Sequence, residues 1–298
     1  ISTRMMQTRH TSFELVAMPS PFPRPRQVIS LFVDTTDFSK DDSYHSYNSF
    51  LLMVTKGNWN VPITPKAEKP TVEKKVYDNP DGTSTGGFGS SADHAINEKF
   101  QFQLTATLPD STNRAYDYYD KYSVIFHDTL SEGITYDGPY SVVIESNDIT
   151  YTITDPSKYT INTDKLDSQN YFEVEIPDVK TCVAGLDLNK GATITVTYTA
   201  HLNEKAYVNT VGGGTDNKNS VYLEYSNNPR ISTSLDHTPE SEVRVYTYQL
   251  NNTKYRDDDT PGNELAGAGF RLYSGKDCTK EQEIKLKKNI TDGTYSPY

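Results

Sequence analysis

The chain has 298 residues and a formal net charge of −11, with 22 Tyr against 11 Phe. That length predicts two or three domains, and the abundance of threonine and tyrosine favours strands. Acidic charge spread along the sequence argues against nucleic acid and anionic membrane surfaces as partners, and no stretch is apolar for long enough to span a bilayer.

Residues 1–33 resist assignment. Pro19, Pro21, Pro23 and Pro25 suit an extended or polyproline-like segment, and Arg4, Arg9, Arg24 and Arg26 make this stretch locally basic. Asp34 to Tyr47 reads as a polar loop, Leu51 to Val54 as an apolar run, and Trp59 to Ile63 as a short extended piece. Pro62, Pro65 and Pro70 mark a linker. Val72, Lys74 and Val76 then share one face of a strand, followed by a Gly/Ser/Asp loop from Asp78 to Ser91. Phe100, Phe102, Leu104, Ala106 and Leu108 alternate with polar residues, the mark of a half-buried strand. Further strands are expected at Val124–Asp128, Val142–Ile144, Tyr151–Ile153, Phe172–Ile176, Ile194–Leu202, Asn219–Tyr225 and Val243–Tyr248, with a helical turn near Thr181 to Leu186. The expected fold is all-β, with tandem immunoglobulin-like β-sandwich domains. The boundaries read as an incomplete N-terminal remnant over 1–66, a sandwich over 67–248, and the start of a truncated third unit over 249–298.

Cys182 and Cys278 fall in different predicted domains and lack CxxC spacing, so unpaired thiols are expected rather than a disulfide or a metal site. The first ten residues have no apolar signal core, and the last, through Ser296-Pro297-Tyr298, hold no anchor or sorting signal. Both ends therefore read as cuts in a longer precursor. If the protein is secreted, something other than a disulfide must lock it.

Three polar residues keep the phase of core positions: Lys74, Asp128 and Asn219. Each has a plainer reading. Lys74 as an edge residue would snorkel to water, Asp128 would start a turn with Thr129, and Asn219 would belong to a loop. Together they have a chemical logic. Burial pushes lysine toward its neutral, nucleophilic amine and aspartic acid toward its protonated form. A protonated Asp128 polarises the Asn219 carbonyl, the Lys74 amine attacks it, and ammonia leaves an amide behind. Folding supplies the proximity, so no cofactor is needed. Lys75 competes for the lysine role but has the opposite phase, and Asn217 competes with Asn219.

At this point the sequence resembles the backbone pilins of Gram-positive bacteria, the isopeptide-forming fimbrial subunits, over roughly residues 51–298. The resemblance rests on Pro70-Thr71-Val72-Glu73-Lys74-Lys75-Val76, on Phe126-His127-Asp128-Thr129-Leu130-Ser131-Glu132-Gly133-Ile134-Thr135-Tyr136, and on Asn219-Ser220-Val221-Tyr222-Leu223-Glu224-Tyr225-Ser226-Asn227-Asn228-Pro229. It implies that Lys74 and Asn219 form the bond and that Asp128 promotes it. The third unit looks like a collagen-binding-protein B-type domain, through Thr253-Lys254 and Leu265-Ala266-Gly267-Ala268-Gly269-Phe270-Arg271-Leu272-Tyr273. There Lys254 matches a cross-linking lysine whose asparagine and glutamate partners do not appear before residue 298. Lys254 also has a plain reading, as a solvated lysine near a domain start.

Lys66 resembles the pilin-motif lysine, with Trp59, Val61, Ile63 and Thr64-Pro65 upstream. Thr64 replaces the family's tyrosine, and Trp59 lies nearer the lysine than the usual spacing. Lys56 and Lys69 are the alternatives. The resemblance implies a sortase that joins the next subunit to Lys66, a head-to-tail homopolymer, and an extracellular, cell-wall-attached pilus. A surface adhesin is the competing function, with a host surface protein or glycan as its ligand. An enzyme is the weakest option. His94, His127, His201 and His237 form no metal spacing, and neither a phosphate loop nor a nucleophile elbow is present.

Overall fold

The computed structural model describes residues 69–79, 85–112, 114–208, 216–249, 252–257, 260–288, 290, 293 and 295–297, together with three strands nearer the N-terminus. Those three, Phe13–Ala17 (β1), Gln27–Asp34 (β2) and Ser49–Thr55 (β3), form an antiparallel sheet in chain order. The apolar run Leu51–Val54 lies inside β3. Strands β1 and β2 fall in the stretch that the sequence pattern leaves unassigned.

Thirteen strands follow in the middle of the chain. They are Thr71–Asp78 (β4), Gly87–Gly89 (β5), Ser91–Asp93 (β6), Lys99–Leu108 (β7), Val124–Leu130 (β8), Ile134–Ser146 (β9), Ile149–Thr152 (β10), Thr160–Asn162 (β11), Tyr171–Ile176 (β12), Ala192–Leu202 (β13), Asn217–Ser226 (β14), Leu235–His237 (β15) and Ser241–Tyr246 (β16). One sheet has the order β10-β9-β13-β7-β4-β5. The other has the order β11-β12-β8-β14-β16-β6, with β15 also paired to β14. Pairing is antiparallel except between β16 and β6.

Alternation builds the core. Along β13 every second residue from Ala192 to Leu202 is buried, and β12 and most of β7 repeat the pattern. The inward residues of the two sheets form one cluster, including Phe102, Leu104, Ile194 and Val196 from the first and Phe126, Phe172, Val221 and Leu223 from the second. The Phe172 ring meets Tyr198 edge-on across the sandwich, with centroids 5.1 Å apart. Each fully buried side chain of this size contributes about 1.5–3 kcal/mol. The fold is thus a β-sandwich with almost no helix.

Several expectations need adjusting. The loop predicted over Asp78–Ser91 contains β5, and Ser91 begins β6. The strand expected at Val142 begins at Ile134, because β9 continues through Gly138, whose φ of +56° favours glycine. The turn expected near Thr181–Leu186 is a 3₁₀ turn over Val179–Thr181, where Asp178 accepts a hydrogen bond from the Lys180 amide at 3.2 Å. Among the described residues the α-helix is a single turn, Leu166–Gln169. Cys182 is buried and Cys278 exposed, and neither is bonded to the other.

Toward the C-terminus, Leu272–Tyr273 (β17) pairs with Glu283–Ile284 (β18), and Leu286–Lys288 (β19) with Tyr295–Pro297 (β20). Phe270, Leu272 and Tyr295 are exposed here. No helix among the described residues is long and apolar enough to cross a membrane.

Candidate functional site: a buried lysine, aspartate, tyrosine and asparagine

Four strands from two sheets bring four polar side chains together inside the sandwich. Lys74 comes from β4 and Tyr198 from β13, both in the first sheet. Asp128 comes from β8 and Asn219 from β14, neighbours in the second. Each sits where alternation places a core residue: Lys74 two positions before Val76, Asp128 between Phe126 and Leu130, Asn219 before Val221. In the β8–β14 ladder Asp128 faces Val221 and Asn219 faces Leu130, so the two polar groups are diagonal neighbours.

All are withdrawn from water. Lys74 is 2% exposed, Asp128 and Asn219 are 0%, and Tyr198 is 1%. The Lys74 ammonium is ion-paired with Asp128 Oδ2 and lies 3.3 Å from the Tyr198 hydroxyl. Tyr198 donates to Asp128 Oδ1 at 3.2 Å. Asn219 Nδ2 donates to the Tyr198 oxygen at 2.7 Å. Phe102 closes one wall, with its ring centroid 5.3 Å from Lys74 Nζ. Asn219 Oδ1 is buried without a hydrogen-bond partner among the described residues. A buried, unpaired carbonyl oxygen costs about 1–3 kcal/mol.

Burial decides the protonation balance. Desolvation lowers Lys74 from 10.5 to about 8, against the opposing pull of the Asp128 charge and hydrogen bond. Desolvation likewise raises Asp128 above the ordinary carboxylate value, although Lys74 and Tyr198 pull it down. Both displacements bring the neutral amine and carboxylic acid closer in energy to the ion pair than they would be in water. Burial also drives Tyr198 well above 10, so its phenol stays protonated.

The competing residues lie elsewhere. Lys75 is half-buried on the other face of β4, ion-paired with Glu73 at 3.1 Å. Asn217 points inward, but its amide is engaged: Oδ1 accepts from Tyr207 N at 2.8 Å, and Nδ2 donates to the carbonyls of Tyr207 and Val245, each at 3.0 Å. His127 lies on the opposite face of β8 from Asp128, stacked on Tyr222 at 4.3 Å and 3.3 Å from Glu224. Lys254 is exposed, and its backbone carbonyl accepts from Leu265 N at 2.7 Å. Lys66 and Lys56 lie outside the described residues, while Lys69 is half-buried. No group of three potential ligands suited to a metal is found among the described residues. The surface cleft lined by Pro109, Asp110, Glu145, Asp148 and Lys190 contains none of the four site residues.

Sequence reasoning missed Tyr198 as a member of the site, counting it only as an inward residue of its strand. The available signal was a hydroxyl among the otherwise apolar inward positions of β13.

No family model matches the chain, and no curated relative does. Solved structures do. The 35 kDa C-terminal fragment of the major pilin of Streptococcus agalactiae is similar over 74% of this chain and 68% of its own, with 20% identity and a TM-score of 0.50. A backbone pilin of Streptococcus pyogenes with a modular three-domain structure aligns over 90% of this chain and 55% of its own, with 22% identity and a TM-score of 0.48. For a two-domain fragment of the major pilin SpaD from Corynebacterium diphtheriae the values are 65%, 58%, 18% and 0.40. The chain thus spans about two thirds of the first structure and little more than half of the other two. Major pilin backbone subunits of Gram-positive bacteria are thus among the solved structures that this fold resembles.

Proposed function

We propose that this chain belongs to the shaft subunit of a covalently polymerised, cell-wall-attached surface pilus, and that it is locked by a Lys74–Asn219 isopeptide bond promoted by Asp128. Its organisation on this reading is a remnant over 1–66, an isopeptide-forming sandwich over 67–248, and the start of a B-type domain over 249–298. The observation that carries the proposal is the buried constellation itself: a lysine amine on a carboxyl group, with a carboxamide of unpaired oxygen linked to both through one hydroxyl.

The chemistry balances without a cofactor. Lys74 passes its extra proton to Asp128, becoming a nucleophile. Nζ attacks Asn219 Cγ, with the protonated Asp128 as the acid that promotes the step. Collapse breaks the Cγ–Nδ2 bond; Nζ gives up one proton and Nδ2 gains one, with the Asp128 carboxyl group as intermediary, and ammonia departs. Burial excludes water, which would otherwise compete as nucleophile. Lys66 serves a separate purpose in this reading, as the amine to which a sortase joins the next subunit. Lys254 is the lysine half of a second cross-link.

Intact mass tests the central claim. The folded protein is expected to weigh one ammonia less than its sequence, with a branched peptide joining Lys74 to Asn219. Asp128→Ala is expected to keep the sandwich and the full mass. Unmodified Lys74 peptides in fully folded wild-type protein would falsify the reading.

A further inference from the structure

The isopeptide reading leaves one problem of proton supply, and the position of Tyr198 bears on it. Ammonia leaves only if Asn219 Nδ2 gains a proton. Asp128 contacts the nucleophile through Oδ2 and the Tyr198 hydroxyl through Oδ1. The hydrogen-bond partner of Asn219 Nδ2 is the Tyr198 hydroxyl, at 2.7 Å. Tyr198 therefore stands between the acid and the leaving group.

We propose that Tyr198 is a catalytic residue of bond formation, relaying a proton from Asp128 Oδ1 to the departing Asn219 nitrogen. This deepens the isopeptide reading and rests on it.

The polarity of the contact explains the timing. A planar amide nitrogen has no available lone pair, so before reaction it can only donate, and Nδ2 donates to Tyr198. Attack by Lys74 makes Cγ tetrahedral and frees the lone pair on Nδ2, which becomes an acceptor. The phenolic O–H then turns from Asp128 toward Nδ2. The extra Lys74 proton reaches Asp128 Oδ1 beforehand through the same hydroxyl, which lies 3.3 Å from Nζ and 3.2 Å from Oδ1. As the Cγ–Nδ2 bond breaks, three protons move: Tyr198 O–H to Nδ2, Asp128 Oδ1–H to the Tyr198 oxygen, and Nζ–H to Asp128 Oδ2. Asp128 ends neutral with its proton on the other oxygen, Tyr198 is restored, and the products are an amide and ammonia. The net charge of the dry site is the same before and after. The elevated Tyr198 phenol fits a group that passes a proton on and does not rest as an anion.

The test follows bond formation in freshly made full chain. Protein is produced by cell-free synthesis, quenched in acid at intervals, and weighed intact. Tyr198→Phe removes one oxygen and keeps the ring that packs on Phe102 and Phe172. Its near-UV circular dichroism is expected to match wild type, and its loss of ammonia to be about 100-fold slower, in line with general acid catalysis. A Tyr198→Phe rate within a few-fold of wild type overturns the relay while leaving the isopeptide reading intact. Site-specific replacement of Tyr198 by a difluorotyrosine keeps the hydroxyl and its geometry but lowers its pKa. A relay predicts a changed rate for this protein. An unchanged rate overturns the relay and makes Tyr198 a spacer, and this arm decides even if Tyr198→Phe fails to fold. Folded wild type that never loses ammonia removes the isopeptide reading, and the relay with it.

Discussion

With Lys74 changed to methionine, Asp128 remains buried beside Tyr198 without its cation. The causes that Lys74 supplies to hold Asp128 down then vanish, and desolvation acts almost alone. The folded-state pKa rises further above 3.8, so in that pH range the folded state binds a proton that the unfolded state has lost. Stability is full below the ordinary aspartate value and falls as pH rises above it, by up to about 1.4 kcal/mol per pH unit, until the folded pKa is passed. Urea unfolding of Lys74→Met from acid to neutral pH checks this. A Lys74→Met, Asp128→Leu double variant is expected to lose this contribution to the slope, because the buried carboxyl group is gone. The legibility of the site divides at this scale. Lys74, Asp128 and Asn219 were readable because each is a polar residue in an apolar phase, where its desolvation must be answered. Tyr198 was not, because a tyrosine in the inward phase looks like any packed ring, and only the three-dimensional meeting of four strands gives its hydroxyl partners.

Strand β14 carries two inward asparagines with different employment. Asn217 ties the Tyr207 backbone to β16, so Asn217→Ala removes a partner from the buried Val245 carbonyl and two from the part-buried Tyr207 backbone. It is expected to cost about 1–3 kcal/mol in chemical unfolding yet still yield the ammonia-deficient mass. Asn219→Ala is expected to abolish the mass loss, and with it the stability that the cross-link supplies. The same corner explains Gly133, which joins β8 to β9. A Cβ there would meet Ala206 Cα and Asn217 Oδ1, each at 2.6 Å. Backbone cannot yield cheaply, so Gly133→Ala is expected to lower stability by about 1–3 kcal/mol, seen as a reduced midpoint in urea. The long strands β7, β12, β13 and β14 were legible from period-two alternation. Short β5 was not, since Gly87 and Gly89 offer no side-chain pattern and the strand is defined by pairing, with Phe88 edge-on to Tyr77 at 5.2 Å. Strand β9 was only half legible, because it starts before Gly138 and its pairing with β13 shifts register between Tyr198 and Ala200.

On the isopeptide reading, a Lys74–Asn219 bond joins covalently two sheets that otherwise meet through packing, one ion pair and hydrogen bonds. By loop-closure arithmetic it constrains the unfolded chain by about 5 kcal/mol, so Asp128→Ala is expected to melt well below wild type. Under tension the effect is categorical. Force applied at the ends passes through the bond, and the chain between Lys74 and Asn219 cannot lengthen. Single-molecule pulling is expected to show no extension from that segment in wild type and full extension in Asp128→Ala. Assembly is tested separately: Lys66→Ala subunits offered to a matched sortase are expected to stay monomeric while still losing ammonia internally. The distribution of the four site residues over both sheets has one more consequence. Neither sheet alone contains a complete reaction centre, so a molecule with paired strands but open sheets keeps its full mass. On the isopeptide reading, each released ammonia is then a permanent mark of closure, and every linked chain in a preparation is a molecule that has been closed at least once, including those that were later unfolded.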